Sequence, residues 1–107
     1  MYQPINTGLL SFGMSGRVFH APFIQAHPGF RLTAVTERHH KKASQFYKDI
    51  KSFQTTEELI NLKELELIVV NTPNHTHFEY AGQALRAGKH VLLEKPFTTS
   101  LSEAQEL

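Results

Sequence analysis

The 107-residue sequence contains no cysteine, which excludes a disulfide framework, a thiolate metal site and a catalytic thiol. It also lacks an excess of either charge, since 11 basic residues face 10 acidic ones, and this balance argues against a broad nucleic-acid-binding surface. The longest apolar runs, such as residues 67–70, are far too short to span a bilayer. Residues 1–7 lack the basic stretch and long apolar run of a signal peptide. We therefore expect a cytoplasmic protein without nucleic-acid or membrane partners.

What the sequence does contain is an alternation of apolar and helical stretches along its whole length. Strands are expected at 5–10, 30–36, 52–53, 65–70 and 91–93, and helices at about 15–26, 40–47, 56–62, 76–87 and 100–107. Strands that are apolar throughout and separated by helices predict a parallel sheet covered on both faces. The expected fold is therefore a doubly wound, three-layer α/β/α domain over residues 1–107, and its end within a helix suggests a longer protein.

Local signals predict where several of these helices begin and end. The first helix carries Pro22, which should kink or shorten it, although its apolar residues share one face: Val18, Phe19, Phe23 and Ile24. Thr55 or Thr56 should cap the third helix, and Gly88 should end the fourth. Ser100 precedes Glu103 at the spacing of a capping box.

The segment between the first strand and the first helix contains most of a phosphate-binding glycine motif. Gly13 and Gly16 match the second and third glycines of G-x-G-x-x-G, and Ser11 replaces the first. Gly13 would let the backbone approach a pyrophosphate, and Gly16 would let the helix pack closely on the strand. The helix N-terminus would then attract the anion. A positive φ at Ser11 would cost about 1 kcal/mol relative to glycine.

The glycines of this segment also suggest two other interpretations. Gly8 and Gly13 have the glycine spacing of a P-loop, but Met14 stands where that motif needs lysine, so the P-loop fails. Gly13 and Gly16 alone fit a tight strand-to-helix corner equally well.

An acidic residue after the second strand favours the dinucleotide interpretation. Glu37 follows the motif by about 20 residues, where a carboxylate accepts hydrogen bonds from the adenosine ribose. Glu37 should repel a 2′-phosphate and favour NAD, whereas Arg38 can stack on adenine or bind that phosphate, which leaves NADP open. Lys41 and Lys42 are interpreted as a solvated helix face.

Polar segments also follow the fourth and fifth strands, at the edge where such sheets bind ligands. His75 and His77 alternate on a loop without nearby carboxylates or thiols, so we expect them to fix the loop or cap a helix rather than bind a metal. Glu94 and Lys95 can hold ribose or substrate hydroxyls, and the lysine can polarise an oxygen or relay a proton. The alternative is a surface ion pair beside a turn.

Together these segments resemble the Gfo/Idh/MocA oxidoreductases, and the most specific part is A-G-K-H-V followed by E-K-P within residues 87–96. The resemblance covers essentially the whole chain but only the family's N-terminal domain, a Rossmann-type NAD(P)-binding domain. It implies hydride transfer between nicotinamide and a hydroxyl-bearing carbon of a sugar, inositol or related polyol. It also implies a cis Lys95–Pro96 bond and a C-terminal domain, absent here, that carries most substrate contacts and the oligomer interface.

The resemblance assigns a role to each candidate site residue. The pyrophosphate would be received by the glycine turn: Ser11, Gly13, Met14, Ser15 and Gly16. The adenosine end would be recognised by Glu37 and Arg38, and the nicotinamide side would be lined by Thr72, Pro73, Asn74 and His77. Glu94 would hold the nicotinamide ribose, and Lys95 would touch the reacting oxygen as the catalytic residue.

Two other classes of function compete with this one. A sensor or regulatory module could bind NAD(P) without chemistry, but it would not need a lysine beside the nicotinamide. A methyltransferase that uses S-adenosylmethionine fits less well, because the glycines and the acidic residue suit a pyrophosphate ligand. We expect this chain to bind the dinucleotide and the full-length protein to perform turnover.

Overall fold

The computed structural model describes residues 3–107. Met1 and Tyr2 lie outside the described residues, although the predicted domain and the segment considered as a signal peptide both begin there. Five strands form one sheet in the order β3-β2-β1-β4-β5, and every neighbouring pair is parallel. The strands are β1 (Ile5–Leu9), β2 (Phe30–Thr36), β3 (Lys51–Phe53), β4 (Leu67–Val70) and β5 (His90–Leu93). The predicted doubly wound parallel sheet is confirmed.

Helices connect the strands. They are α1 (Ala21–Ala26), α2 (Ala43–Phe46), α3 (Thr56–Ile60), α4 (His77–Arg86) and α5 (Leu101–Glu106), with a π-helical turn at Ser15–His20 and a 3₁₀ turn at Asn74–Thr76. None of the helices within residues 3–107 is long and apolar enough to cross a membrane.

The sheet is covered on both faces, as the apolar strands predict. Successive residues of one strand enter opposite cores: Ile68 and Val70 pack beneath α3 and α4, whereas Val69 packs on the other side. Ala34 and Val35 divide in the same way on β2. This alternation follows from the two-residue period of a strand, and it produces the three-layer α/β/α arrangement.

The first helical segment departs most from its prediction. Pro22 lies in the first turn of α1, directly after the π-helical turn, so the expected single helix is divided in two. Because proline has no N–H to donate, it is tolerated in a first turn but not within a continuous helix. The predicted apolar face is wrong: Val18, Phe19 and Phe23 are more than half exposed.

The other helix ends follow the local signals more closely. The Thr55 hydroxyl accepts from the backbone N–H of Glu58 at 3.2 Å, and the Glu58 carboxylate accepts from the backbone N–H of Thr55 at 3.3 Å. Gly88 ends α4 with a φ of 81°. Ser100 accepts from the backbone N–H of Glu103 at 3.2 Å, the first half of the expected capping box. Helix α2, Ala43–Phe46, is shorter than the predicted 40–47.

Candidate functional site

The candidate site lies at the carboxyl edge of the sheet, where the chain changes direction between β1 and β4. From β1 the chain proceeds through β2 and β3 on one side, and β4 and β5 occupy the other. In open α/β sheets such a switch point leaves a crevice in which ligands bind. Residues that follow four different strands meet along this edge, represented by Ser11, Glu37, Thr72 and Glu94.

The turn after β1 is tied to the turn after β4 by one side chain. The Asn71 amide accepts from the backbone N–H of Ser11 at 3.0 Å and donates to the carbonyl of Ser11 at 2.8 Å. The same amide nitrogen lies 3.4 Å from Oγ of Ser15. Asn71 is buried, so these bonds form away from water. The amide therefore bonds the N–H and the carbonyl of one residue, as a neighbouring strand would, and it fixes the glycine turn against the sheet.

The two motif glycines face different surroundings. A Cβ on Gly16 would lie 2.2 Å from the carbonyl oxygen of Ser11, a separation that no side chain allows. A Cβ on Gly13 would meet nothing nearer than the Ser11 hydroxyl at 3.5 Å. Gly16 is therefore needed for helix packing, whereas Gly13 leaves backbone open at the surface. Neither glycine nor Ser11 has a positive φ, so the expected cost of serine in this turn does not arise.

A groove of about 570 Å³ runs along this edge. That volume lies within the roughly 300–1,000 Å³ typical of small-ligand sites. Six predicted site residues line it: Ser11, Gly13, Glu37, Arg38, Thr72 and Pro73. Residues that were not assigned to the site from the sequence line it as well: Phe12, His39, His40, Lys42, His75, Thr76 and Tyr80. The remaining predicted residues lie outside its lining: Met14, Ser15, Gly16, Asn74, His77, Glu94 and Lys95.

Glu37 is bound mainly by the protein itself. Its carboxylate accepts from the backbone N–H groups of Lys42 at 2.7 Å and Ala43 at 3.1 Å, and from the Ser52 hydroxyl at 2.7 Å. These bonds cap α2, which explains why that helix begins at Ala43 rather than at residue 40. With 8% of its surface exposed, Glu37 joins β2, β3 and α2 and offers the groove only a small part of its carboxylate.

The rim beside Glu37 is cationic and exposed. The guanidinium of Arg38 donates to the Tyr80 hydroxyl at 3.3 Å, which brings the loop after β2 close to α4 across the groove. Lys42 is exposed just before α2 and also lines the groove, whereas Lys41 does not line it. Positive side chains thus surround the part of the groove next to β2.

His77 joins the two loops on the other side of the switch point. Its ring is 1% exposed, with Nδ1 2.7 Å from the carbonyl oxygen of Pro96 and Nε2 3.0 Å from that of Thr72. These contacts agree with the loop-fixing role that was predicted for His77 from its position. The Lys95–Pro96 bond is cis, as the resemblance implied. No three His, Asp or Glu side chains within residues 3–107 are arranged to hold a metal ion.

Glu94 and Lys95 follow β5 and do not pair with each other. The backbone N–H of Glu94 donates to Val70 at 3.2 Å, which continues the pairing of β5 with β4. Its carboxylate lies 2.5 Å from Nε2 of His20, and Lys95 is exposed. The surface ion pair between Glu94 and Lys95 that the sequence allowed is therefore not formed. Glu94 instead contacts His20, a residue 74 positions away.

Comparison with known proteins identifies the family. The GFO_IDH_MocA profile, an oxidoreductase family with an NAD-binding Rossmann fold, matches residues 5–107. This chain belongs to the Gfo/Idh/MocA oxidoreductase family. The match includes every candidate site residue, and the five-stranded sheet described above is the fold that the family description names.

Individual members of the Gfo/Idh/MocA family support the assignment. The uncharacterized oxidoreductase YdgJ of Escherichia coli is 39% identical over 100% of this chain and 31% of its own length. The scyllo-inositol 2-dehydrogenase (NADP(+)) IolW of Bacillus subtilis is 31% identical over 96% of this chain and 29% of its own. The crystal structure of a putative oxidoreductase from Bacteroides fragilis superposes with a TM-score of 0.94 at 48% identity, covering 97% of this chain and 31% of that one. This chain therefore spans about a third of the length of these Gfo/Idh/MocA proteins.

Several residues of this Gfo/Idh/MocA site could not be found from spacing. His20 and Tyr80 lie on helices, and they reach the edge only because of how those helices cross the sheet. Asn71 belongs to the polar segment after the fourth strand, but nothing in the sequence indicated that its amide would bind Ser11. A polar residue directly after a buried strand was the only available signal.

Proposed function

We propose that this chain is the dinucleotide-binding part of an oxidoreductase and that NAD(P) or its reduced form occupies the groove at the carboxyl edge. The proposal depends chiefly on one observation: Gly13 leaves backbone open on a turn that Gly16 and Asn71 hold against the sheet. A pyrophosphate needs such an approach to main-chain N–H groups at the start of a helix. Gly13, Met14 and Ser15 would supply those groups.

A buried hydroxyl in the groove supports a ligand there. Within residues 3–107, Oγ1 of Thr36 is the one buried side-chain polar atom without a hydrogen-bond partner. Buried polar atoms are nearly always paired, so an orphan of this kind suggests that something else supplies the partner. Thr36 ends β2 and lines the groove beside Glu37, where the adenosine half of a dinucleotide would lie.

The nicotinamide half would extend towards β4 and β5. Thr72, Pro73 and Asn74 would border it, and His77 would act through the loops that it joins. When bound, the nicotinamide would accept or donate a hydride. Lys95 is exposed beside this end, where its ammonium can hydrogen-bond the oxygen of a substrate and donate or receive a proton.

We further propose that NADP(H) binds at least as well as NAD(H). The negative charge of Glu37 is compensated by three protein donors, so its repulsion of a 2′-phosphate is reduced. Arg38, His39 and Lys42 line the same part of the groove and offer cationic or donor groups to that phosphate. The similarity to an inositol dehydrogenase that uses NADP(+) agrees with this preference.

The substrate proposal rests on the family relatives. We propose a sugar, inositol or related polyol, oxidised or formed at a hydroxyl-bearing carbon by the full-length protein. Because this chain spans about a third of the relatives' length, we propose that residues outside it provide most substrate contacts. Oligomerisation of the full-length protein and its location in the cytoplasm stay predictions.

The experiment is a titration of the protein with NADPH and NADH, followed by cofactor fluorescence and by the thermal midpoint of unfolding. Both should bind and raise the midpoint, because a ligand that binds only the folded state stabilises it. Gly13→Ala should weaken binding about tenfold with an unchanged fold, since its Cβ has room in the structure but not beside a pyrophosphate. Absence of binding by either cofactor would refute the proposal, and binding without turnover by the full-length protein would favour the sensor.

A further inference from the structure

We propose that His20 is a positioning residue that orients Glu94 towards the ribose next to the nicotinamide, an inference that rests on the proposed dinucleotide site. Nε2 of His20 lies 2.5 Å from Oε2 of Glu94, the short separation of a hydrogen bond to a charged acceptor. The two residues are 74 positions apart in the sequence. Their contact therefore depends on how the first helical segment crosses the end of β5.

The backbone on both sides of this contact is fixed. Glu94 is fixed to the sheet through its N–H bond to Val70 at 3.2 Å. His20 is the last residue of the π-helical turn that begins after the glycine motif, and Gly16 seats that turn against Ser11. Single π turns often occur at functional sites, because they displace one side chain from the regular helical position. Here the turn ends at His20, two residues before Pro22, and the His20 side chain reaches Glu94.

The pair is arranged to receive a ligand rather than to stabilise the core. The side chains of His20 and Glu94 are 18% and 29% exposed, so solvent or a ligand can reach them. His20 contacts Oε2 of Glu94, and within residues 3–107 Oε1 of the same carboxylate has no hydrogen-bond partner. An unpaired carboxylate oxygen whose rotamer is held by a neighbour is suited to accept the vicinal hydroxyls of a ribose.

Without His20, the carboxylate would have to be ordered by the ligand itself. A glutamate at a strand end has several accessible rotamers, and fixing them on binding reduces affinity. The contact with His20 restricts these rotamers in the free protein. His20 thereby contributes to binding the nicotinamide half of the cofactor and not to binding the adenosine half.

The test compares two ligands that differ in this half. NADPH contains the second ribose and the nicotinamide, whereas ADP retains the adenosine and the diphosphate but lacks both, together with the 2′-phosphate, so each ligand is compared between wild type and variant. His20→Ala should weaken NADPH binding about tenfold, the effect expected from losing a charge-assisted hydrogen bond, and should change ADP binding by less than about twofold. His20→Gln should restore most of the NADPH affinity, because its amide N–H can donate to Glu94. Gln25→Ala, at an exposed residue of α1, is the matched control and should change neither affinity.

Each outcome decides between the two proposals. Wild-type protein that binds neither NADPH nor ADP refutes the proposed function and this inference with it. Wild-type binding combined with unchanged NADPH affinity in His20→Ala refutes only the role of His20. Equal weakening of NADPH and ADP by that substitution, with a lowered thermal midpoint, would identify His20 as a structural residue and would also overturn the inference.

Discussion

Two parts of the candidate site differ in how their polar groups are satisfied. The floor consists of the buried residues Gly16, Glu37, Asn71 and His77, and the rim consists of the exposed residues Gly13, Arg38, Lys42 and Lys95. The polar side chains of the floor are bonded to other parts of the chain, mostly to backbone groups. Those of the rim extend into solvent or across the groove. The floor therefore determines the shape of the site, and the rim is available for ligand.

The floor is built of side-chain bonds that join different elements of the fold. Asn71 joins the turns after β1 and β4, Glu37 joins β2 to β3 and α2, and His77 joins the loops after β4 and β5. Removing one partner would leave a buried group unsatisfied, which costs about 1–3 kcal/mol. Substitutions in the floor should therefore lower stability, and those in the rim should lower ligand affinity.

The largest expected effect separates the two motif glycines. Gly16→Ala should lower the free energy of unfolding by about 3 kcal/mol or more, because the new Cβ would overlap a backbone carbonyl and the helix would have to move. Gly13→Ala is the matched control on the rim, and its stability should change by less than about 1 kcal/mol. Denaturant unfolding of both variants measures the difference. Equal stability of the two variants would remove the distinction between floor and rim.

The two histidines of the loop after β4 provide a second comparison. His77→Phe should lower the free energy of unfolding by about 2 kcal/mol, since the buried contacts of the ring nitrogens with the carbonyl oxygens of Thr72 and Pro96 would be lost. His75→Phe should have little effect on stability, because His75 is exposed on the rim side of the same loop. Thermal unfolding of both variants tests this, and a larger loss at His75 would contradict the assignment.

Thr36 is buried like the floor residues but also lines the groove. Thr36→Val keeps the shape of the side chain and removes the unpaired hydroxyl, so we expect unfolding free energy to stay equal or to rise by about 1 kcal/mol. Dinucleotide affinity should fall a few-fold if the cofactor supplies the missing partner. Calorimetric titration with NADPH measures the affinity. A variant that is less stable, or that binds as tightly as wild type, would show that the hydroxyl has another role.

The smallest effect concerns two adjacent lysines. Lys42→Gln should weaken NADPH about threefold and leave NADH nearly unchanged, because an exposed charge near a phosphate contributes on the order of 0.5 kcal/mol. Lys41→Gln removes the same charge from a side chain that does not line the groove. It should alter neither affinity at 0.15 M salt. Equal losses in both variants would indicate a general charge effect rather than recognition of the 2′-phosphate.

Much of the fold was predictable because its signals are local. Apolar runs located the strands, and β2 was predicted with its observed bounds, 30–36. Thr55 with Glu58 and the positive φ of Gly88 act over a few residues, so propensity and capping chemistry suffice to locate them. The exposed apolar side chains of the first helix were not predictable, since hydrophobic spacing indicates a face but not whether that face reaches the core.

The order of strands and helices along the chain was enough to predict which segments meet at the carboxyl edge. Parallel strands place the residues that follow them along one side of a sheet, and the glycine motif marked where the backbone is open. The contacts of each side chain at that edge depended on the folded arrangement. Glu37, predicted to lie at the ribose, also caps α2, and His20 reaches Glu94 from 74 positions away. Such contacts depend on helix crossings and on competition among several donors for one carboxylate, which the linear order of residues does not encode.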